Sequence, residues 1–167
     1  MQNVEIEKKY IIKKPSPELM QSMENYSVSE IRQVYLKAPE GITRRVRSRC
    51  TDGVSVYTET EKKRIDNMSA AETEREITEE EFQALLKLRR ADSVDVIKSR
   101  HVFFYLGQMF EIDIYPVWER YCIMETELPS RETAVKFPEF IEIYADVTGR
   151  YEYSNAKMAR EFPPEPQ

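Results

Sequence analysis

Gln108-Met109-Phe110-Glu111-Ile112-Asp113-Ile114-Tyr115 alternates apolar and charged residues without a break between Phe110 and Ile114. Side chains of a strand alternate between its two faces, so Phe110, Ile112 and Ile114 share one face while Glu111 and Asp113 share the other. The same spacing recurs along the chain. Glu5, Glu7 and Lys9 form such a row, as do Arg45, Arg47 and Arg49, and Lys98 pairs with Arg100. Glu72 with Glu74 and Glu125 with Glu127 are further doublets; Met124 and Leu128 lie on the face opposite the last, with Thr126 as a polar exception. For any single pair the plain reading is a half-solvated sheet. Across six strands that reading weakens. A solvated face mixes in Ser, Thr, Gln and Asn, whereas this spacing selects full charges and sorts their signs by strand.

Composition narrows the field. The chain has 167 residues, enough for one domain with a sizeable core, and 33% of them are charged. Aromatic residues make up 11% and are spread throughout, which argues against disorder. Four glycines leave no material for a Walker A loop or a dinucleotide fingerprint. The net charge of −5 opposes duplex nucleic-acid binding but not a local anion site. No apolar run approaches the roughly 20 residues of a membrane span, and Met1–Lys9 is charged, so the expected location is cytoplasmic. Cys50 and Cys122 lack metal spacing and read as free thiols; His101 reads as an ordinary hydrogen-bonded strand histidine.

Alternation and turn signals predict strands at 4–12, 33–37, 43–50, 54–63, 71–77, 93–105, 108–115, 121–128 and 141–147. Asp52-Gly53 and Leu106-Gly107 read as hairpin turns. Helices are expected at 17–26, at 78–90 behind a Thr78/Glu81 capping box, at 130–136 and at 154–162, with a frayed tail from Pro163. The class is α+β, a single domain over residues 1–167.

A closed barrel with its charges inside accounts for the sorted doublets. Buried charges need partners or ligands. Acidic and basic rows satisfy one another in part, and the remainder suits a polyanion with a divalent cation. Arg and Lys bind phosphate oxygens, while carboxylates suit Mg²⁺ or Mn²⁺.

Glu5-Ile6-Glu7-Lys8-Lys9 resembles the E-x-E-x-K signature of the CYTH superfamily, the triphosphate tunnel metalloenzymes. The resemblance continues in order. Gln33-Val34-Tyr35-Leu36, Arg45-Val46-Arg47, Thr60-Glu61-Lys62 and Glu72-Thr73-Glu74 are similar to the next strands. Lys98-Ser99-Arg100, Glu111-Ile112-Asp113, Glu125-Thr126-Glu127 and the closing segments Val147-Thr148-Gly149 and Tyr153-Ser154-Asn155 follow. It implies an eight-stranded antiparallel β-barrel, a tunnel with a charged interior flanked by a few helices.

It further implies metal-dependent hydrolysis of a triphosphate. Lys9, Arg45, Arg47, Lys62, Lys98 and Arg100 would bind phosphate, and Glu5, Glu7, Asp113, Glu125 and Glu127 would hold Mg²⁺ or Mn²⁺. Glu72, Glu74 and Glu111 would position water or orient the basic residues. The arginine triplet also admits Arg47 and Arg49, and Lys62 is preferred to Lys63 by parity with Thr58 and Thr60. Lys157 reads as a solvated helix lysine rather than a phosphate ligand, and Tyr10, Tyr35, Tyr57 and Phe104 are the candidates for stacking on an organic group. With no extra domain to form such a pocket, inorganic tripolyphosphate is the expected substrate, with ATP and thiamine triphosphate behind it. A class IV-type adenylate cyclase, releasing cyclic AMP and pyrophosphate, is the alternative. A non-catalytic polyphosphate or nucleotide module stands against the full carboxylate set. The sequence leaves a homodimer open.

Overall fold

The computed structural model describes residues 2–167. Strands β1 (Gln2–Lys13), β2 (Glu24–Leu36), β3 (Thr43–Thr51), β4 (Val54–Arg64) and β5 (Ser69–Ile77) form the first part of the sheet. Strands β6 (Val96–Tyr105), β7 (Gln108–Ile114), β8 (Tyr121–Glu127) and β9 (Ile143–Asp146) complete it. The helices are short: α1 (Pro17–Gln21), α2 (Glu79–Leu85) and α3 (Asn155–Met158).

Eight strands close in the order β5-β4-β3-β2-β6-β7-β8-β1, with β1 pairing back to β5 and every pair antiparallel. The two edges of β1 explain the closure. On one edge Glu7 N–H donates to Met68 O at 3.0 Å, and Lys9 C=O accepts from Val147 N–H at 2.9 Å. On the other, Ile6 C=O accepts from Leu128 N–H at 2.7 Å. Thus β5 and β9 follow one another along the same edge of β1, with β8 on the opposite edge. Closure removes the unpaired sheet edges that an open barrel would expose.

The outer face is apolar and covered in two places. Thr78 caps α2 through the expected box with Glu81, and Phe82 packs on Val34, Leu36, Val46 and Ile77. Elsewhere Val135, Phe137, Phe140 and Ile141 cover Tyr10, Ile12, Phe103, Phe110 and Met124. Each large side chain so buried contributes about 1.5–3 kcal/mol. Inside, the charges give way at one end to Ile11, Tyr35, Tyr115 and Ile123, which pack with Trp118, Val147 and Met158. Asp52-Gly53 and Leu106-Gly107 turn two hairpins with all four residues at positive φ, between 50° and 79°.

Several expected boundaries move. The first helix stops at Gln21, and β2 runs from Glu24 rather than from residue 33. Tyr26 and Val28 favour a strand, and Asn25 takes a positive φ of 51° where the register with β6 shifts. No helix forms at 130–136: Thr133 and Val135 are β-branched, and Pro138 biases Phe137 to extended backbone. β6 begins at Val96 rather than residue 93; just before it the Val94 N–H donates to Ala159 O at 2.8 Å instead of to a strand, and the Asp95 side chain pairs with Arg32 and Arg89. The last strand shrinks to Ile143–Asp146 and the last helix to Asn155–Met158. The tail is docked, not frayed. Trp118 Nε1 donates to Pro163 O at 3.0 Å, and Glu165 accepts from the Tyr121 N–H at 2.9 Å. Cys50 and Cys122 are free, and His101 Nδ1 lies 2.8 Å from the Tyr26 hydroxyl. Among the described residues no helix is long and apolar enough to cross a membrane.

Candidate functional site

Directly opposed residues of an antiparallel pair share a face, so register decides what meets inside the barrel. Glu7 faces Glu127, Lys9 faces Glu125, and Glu125 faces Glu111. Across the barrel Arg45 faces Thr60, Arg47 faces Thr58, Lys62 faces Glu72, and Thr60 faces Glu74. These side chains converge on a cavity of about 390 Å³. Its basic lining includes Lys9, Arg45, Arg47, Arg49, Lys62 and Arg100, with Arg64 and Arg150 also on it. Its acidic lining includes Glu5, Glu7, Glu125 and Glu127, with Glu72, Glu74, Glu111 and Asp66. All three arginines of the β3 triplet, Arg45, Arg47 and Arg49, line the cavity.

Lys98 and Asp113 are absent from that lining. Both side chains are fully buried, and Lys98 Nζ donates to Asp113 Oδ2 at 2.7 Å. Arg100 donates to the same carboxylate through Nε at 2.7 Å and Nη2 at 2.8 Å. Asp113 is held well below the usual carboxylate range: burial opposes its charge, but Lys98 and Arg100 outweigh it. Lys98 is pushed down to about 8 by burial and by Arg100 beside it. One carboxylate thus serves two buried cations. Arg100 spends its remaining edge on Glu111.

Lys9 Nζ lies 3.1 Å from Glu125 Oε1 and donates to Tyr153 O at 3.1 Å, which leaves one of its three protons for the cavity. Burial works against the charge of Glu125, yet Lys9 and then Arg100 hold it at about 2. Lys62 Nζ sits 2.9 Å from Glu5 and 3.6 Å from Glu72. Burial would lower its pKa, but Glu7, Glu5 and Glu72 together raise it. Burial and the neighbouring carboxylate of Glu5 lift Glu72 to about 7.

The carboxylates outnumber their cations on one side. Burial and then the charge of Glu125 raise Glu7; burial, then Glu5 and Glu111, raise Glu127. Like-charged, all-oxygen donors that repel one another suit a hard divalent cation such as Mg²⁺ or Mn²⁺. Among the described residues no three acidic, His or Cys side chains already stand in metal-holding geometry, so a cation would have to draw Glu5, Glu7 and Glu127 together.

Some neighbours escaped sequence reading. Tyr153, Ser154 and Asn155 reach the site from the C-terminal segment, and Gln33 sits inside the wall beside Arg47. Inward parity on β2 was the available signal for Gln33; Tyr153-Ser154-Asn155 stand out only as a closing segment of the resemblance, with no charge pattern to mark them as part of the site. Lys157 pairs with Glu161 at 2.8 Å and does not line the cavity. Tyr10 packs on Phe137 and Tyr57 on Phe82, both on the outer face, while Tyr35 is only 4% exposed at the apolar end.

No family model matches the chain, and no curated protein matches it. Solved structures do match. The inorganic triphosphatase NE1496 is similar at 24% identity and a TM-score of 0.60, over 96% of this chain and 97% of that one. Protein PH1012 of Pyrococcus horikoshii OT3 is similar at 20% identity and a TM-score of 0.57, over 77% and 81%. A Hippeastrum protein, HpAC1, assigned as an adenylyl cyclase and found to have a dominant triphosphatase activity, is similar at 15% identity and a TM-score of 0.52, over 76% and 81%. These likenesses define a class by fold, a closed antiparallel barrel with a charged interior. That fold is the one the CYTH resemblance implies.

Proposed function

We propose that this chain is a metal-dependent triphosphatase that hydrolyses inorganic tripolyphosphate inside its barrel, in the cytoplasm. The observation that carries the reading is the meeting of two sorted sets of charge in one cavity: Arg45, Arg47 and Arg49 from β3 and Lys62 from β4 line it together with Glu5 and Glu7 from β1 and Glu127 from β8. Such a cavity suits a polyanion together with its counter-cation. The fold likeness to an inorganic triphosphatase and to HpAC1 supports it.

Phosphoryl transfer is served by positioning and by neutralising the charge that spreads over the oxygens. Arg45, Arg47 and Arg49 present guanidinium donors from every second position of β3. Lys62 and the free proton of Lys9 add two point charges. Asp113 holds Arg100 by two hydrogen bonds, which fixes the guanidinium plane and stiffens that side of the wall. Lys98 shares this counter-ion and serves the phosphate side through Arg100. Glu5, Glu7 and Glu127 would hold Mg²⁺ or Mn²⁺, with Glu125 contributing while it secures Lys9. A divalent cation bound there offsets phosphate charge and makes a nearby water more acidic. Glu72, lifted to about 7, could hold or release a proton at the cavity lining around neutral pH, and Glu74 and Glu111 orient Arg47 and Arg100. Tyr10 and Tyr57 are committed to outer packing, which leaves Tyr35, opposite Arg45, as the one of these three rings that lines the cavity.

A turnover screen tests this. Tripolyphosphate, ATP and thiamine triphosphate are each incubated with Mg²⁺ or Mn²⁺, and phosphate, pyrophosphate and cyclic AMP are read. Orthophosphate from tripolyphosphate, abolished by chelation, is expected. Cyclic AMP with pyrophosphate from ATP would replace the reading with the cyclase, and metal-independent or absent turnover would remove it.

A further inference from the structure

Gln33 is fully buried on β2, and neither Nε2 nor Oε1 of its amide hydrogen-bonds to any described residue. A buried amide left so costs about 1–3 kcal/mol, and its position suggests what offsets that cost. Gln33 stands directly opposite Arg47 on β3, and Arg47 stands directly opposite Thr58 on β4. The three side chains form one row across the inward face of the wall. Arg47 Nε and Thr58 Oγ1 are also buried without a hydrogen-bond partner. In the middle of the row is therefore a guanidinium with an unengaged donor, flanked by an amide and a hydroxyl that can each accept.

The head of Arg47 is loosely held. Its ion pair is a single 3.5 Å contact to Glu74, and burial with repulsion from Arg45 lowers its pKa to about 10. Arg100, by contrast, is gripped at three points by Asp113 and Glu111. The single long contact to Glu74 reaches only one Nη of Arg47 and leaves its Nε edge unheld when a phosphoryl group draws it into the cavity. A neutral acceptor holds that edge without cancelling the charge that the phosphate needs.

We propose that Gln33 is a positioning residue for substrate, acting through Arg47. Its Oε1 accepts from Arg47 Nε–H when the guanidinium turns to the polyphosphate, and Thr58 braces the same edge from β4. Both Nη groups then face the phosphoryl oxygens as a fork. The inference rests on the triphosphatase reading and adds a residue to its specificity for densely charged polyanions.

Gln33→Met keeps the side-chain volume and removes the amide. Binding is measured by titration calorimetry with tripolyphosphate in metal-free buffer, and turnover separately with metal. The expected result is about tenfold weaker binding and a matching rise in KM with little change in kcat, the signature of a lost hydrogen bond to a charged group. The melting temperature should hold or rise, because an unpartnered buried amide has gone. On an Arg47→Ala background the same change should have no further effect on binding. Falling melting temperature with unchanged affinity and KM would overturn the proposal, as would a further tenfold loss without Arg47. A wild-type protein that binds no tripolyphosphate would overturn the function itself. A wild type that binds, beside a Gln33→Met variant that binds equally well, would overturn this inference alone.

Discussion

Replacing Asp113 with asparagine isolates the counter-ion buried behind the cavity wall. The carboxylate receives three hydrogen bonds, from Lys98 at 2.7 Å and from Arg100 at 2.7 and 2.8 Å. The side chains of Lys98 and Asp113 are 0% exposed and that of Arg100 is 9% exposed, so solvent cannot compensate. Removing one partner of a buried ion pair costs about 3–5 kcal/mol, since it strands the other charge. Asparagine keeps one acceptor oxygen, which places the loss near the lower end, about 3 kcal/mol. In a chain of this size that lowers the melting temperature by roughly 6–12 °C. Scanning calorimetry in metal-free buffer at pH 7 measures it.

The pH dependence is directional. Asp113 has a folded pKa well below its unfolded one, so its stabilisation is complete above the unfolded value and is lost as pH falls toward the folded one. The gap between wild type and variant should therefore close in acid, below about pH 4. Lys98 already has its pKa lowered to about 8, and loss of its counter-ion lowers it further. A lysine with a depressed folded pKa destabilises while protonated, and that cost fades as pH rises. The variant should recover part of its deficit above neutral pH. Inorganic phosphate should also restore part of it by supplying negative charge to Arg100. An unchanged melting temperature would refute the counter-ion argument. Full rescue by excess Mg²⁺ alone, without phosphate, would make Asp113 a metal ligand instead.

Two further substitutions probe other parts of the site. Glu7→Gln should cut metal-dependent turnover by at least tenfold, since an amide is a poor substitute for an anionic oxygen ligand. It should also melt no lower than wild type without metal. Because the folded pKa of Glu7 is raised, its charge costs stability above the unfolded carboxylate value. The variant's advantage should grow from pH 4 to pH 7, and a variant that melts lower at pH 7 would be inconsistent with this. Gly149 has a φ of +73°, and a Cβ there would lie 2.7 Å from Asn67 O at the cavity mouth. Gly149→Ala should lose at least about 2 kcal/mol, read as a fall of several degrees in melting temperature; an unchanged melt would contradict it.

Period-two patterning was sufficient for the strands that carry doublets, because alternation is a property of the local backbone. It put Glu111 and Asp113 on one face and Phe110, Ile112 and Ile114 on the other before any partner strand was known. Where no doublet marks the strand, the reading failed: it puts residues 24–26 of β2 in the first helix and 27–32 in no element, although Ser27, Ser29 and Ile31 alternate inward with Gln33. The 130–136 segment is expected as a short helix ending before Pro138, yet Val135 and the residues after it, Phe137, Phe140 and Ile141, cover the outer face of the barrel, a role set by what lies beneath them.

The residues of the site were legible as a set, since charge at strand spacing is written in the chain. Their division of labour was not. Asp113 and Glu111 are two positions apart with the same chemistry, yet Asp113 is sealed between Lys98 and Arg100 while Glu111 reaches the cavity. Only register across β6, β7 and β8 separates them, and register depends on pairings distant in sequence. The same is true of Tyr153, whose carbonyl meets Lys9 across 144 residues, and of Gln33, whose neighbour Arg47 lies on the next strand. Sequence alone determined which side chains of the doublet-bearing strands share a face, because the backbone alternates. Tertiary structure decided which of them meet, because closure of the barrel sets every cross-strand distance.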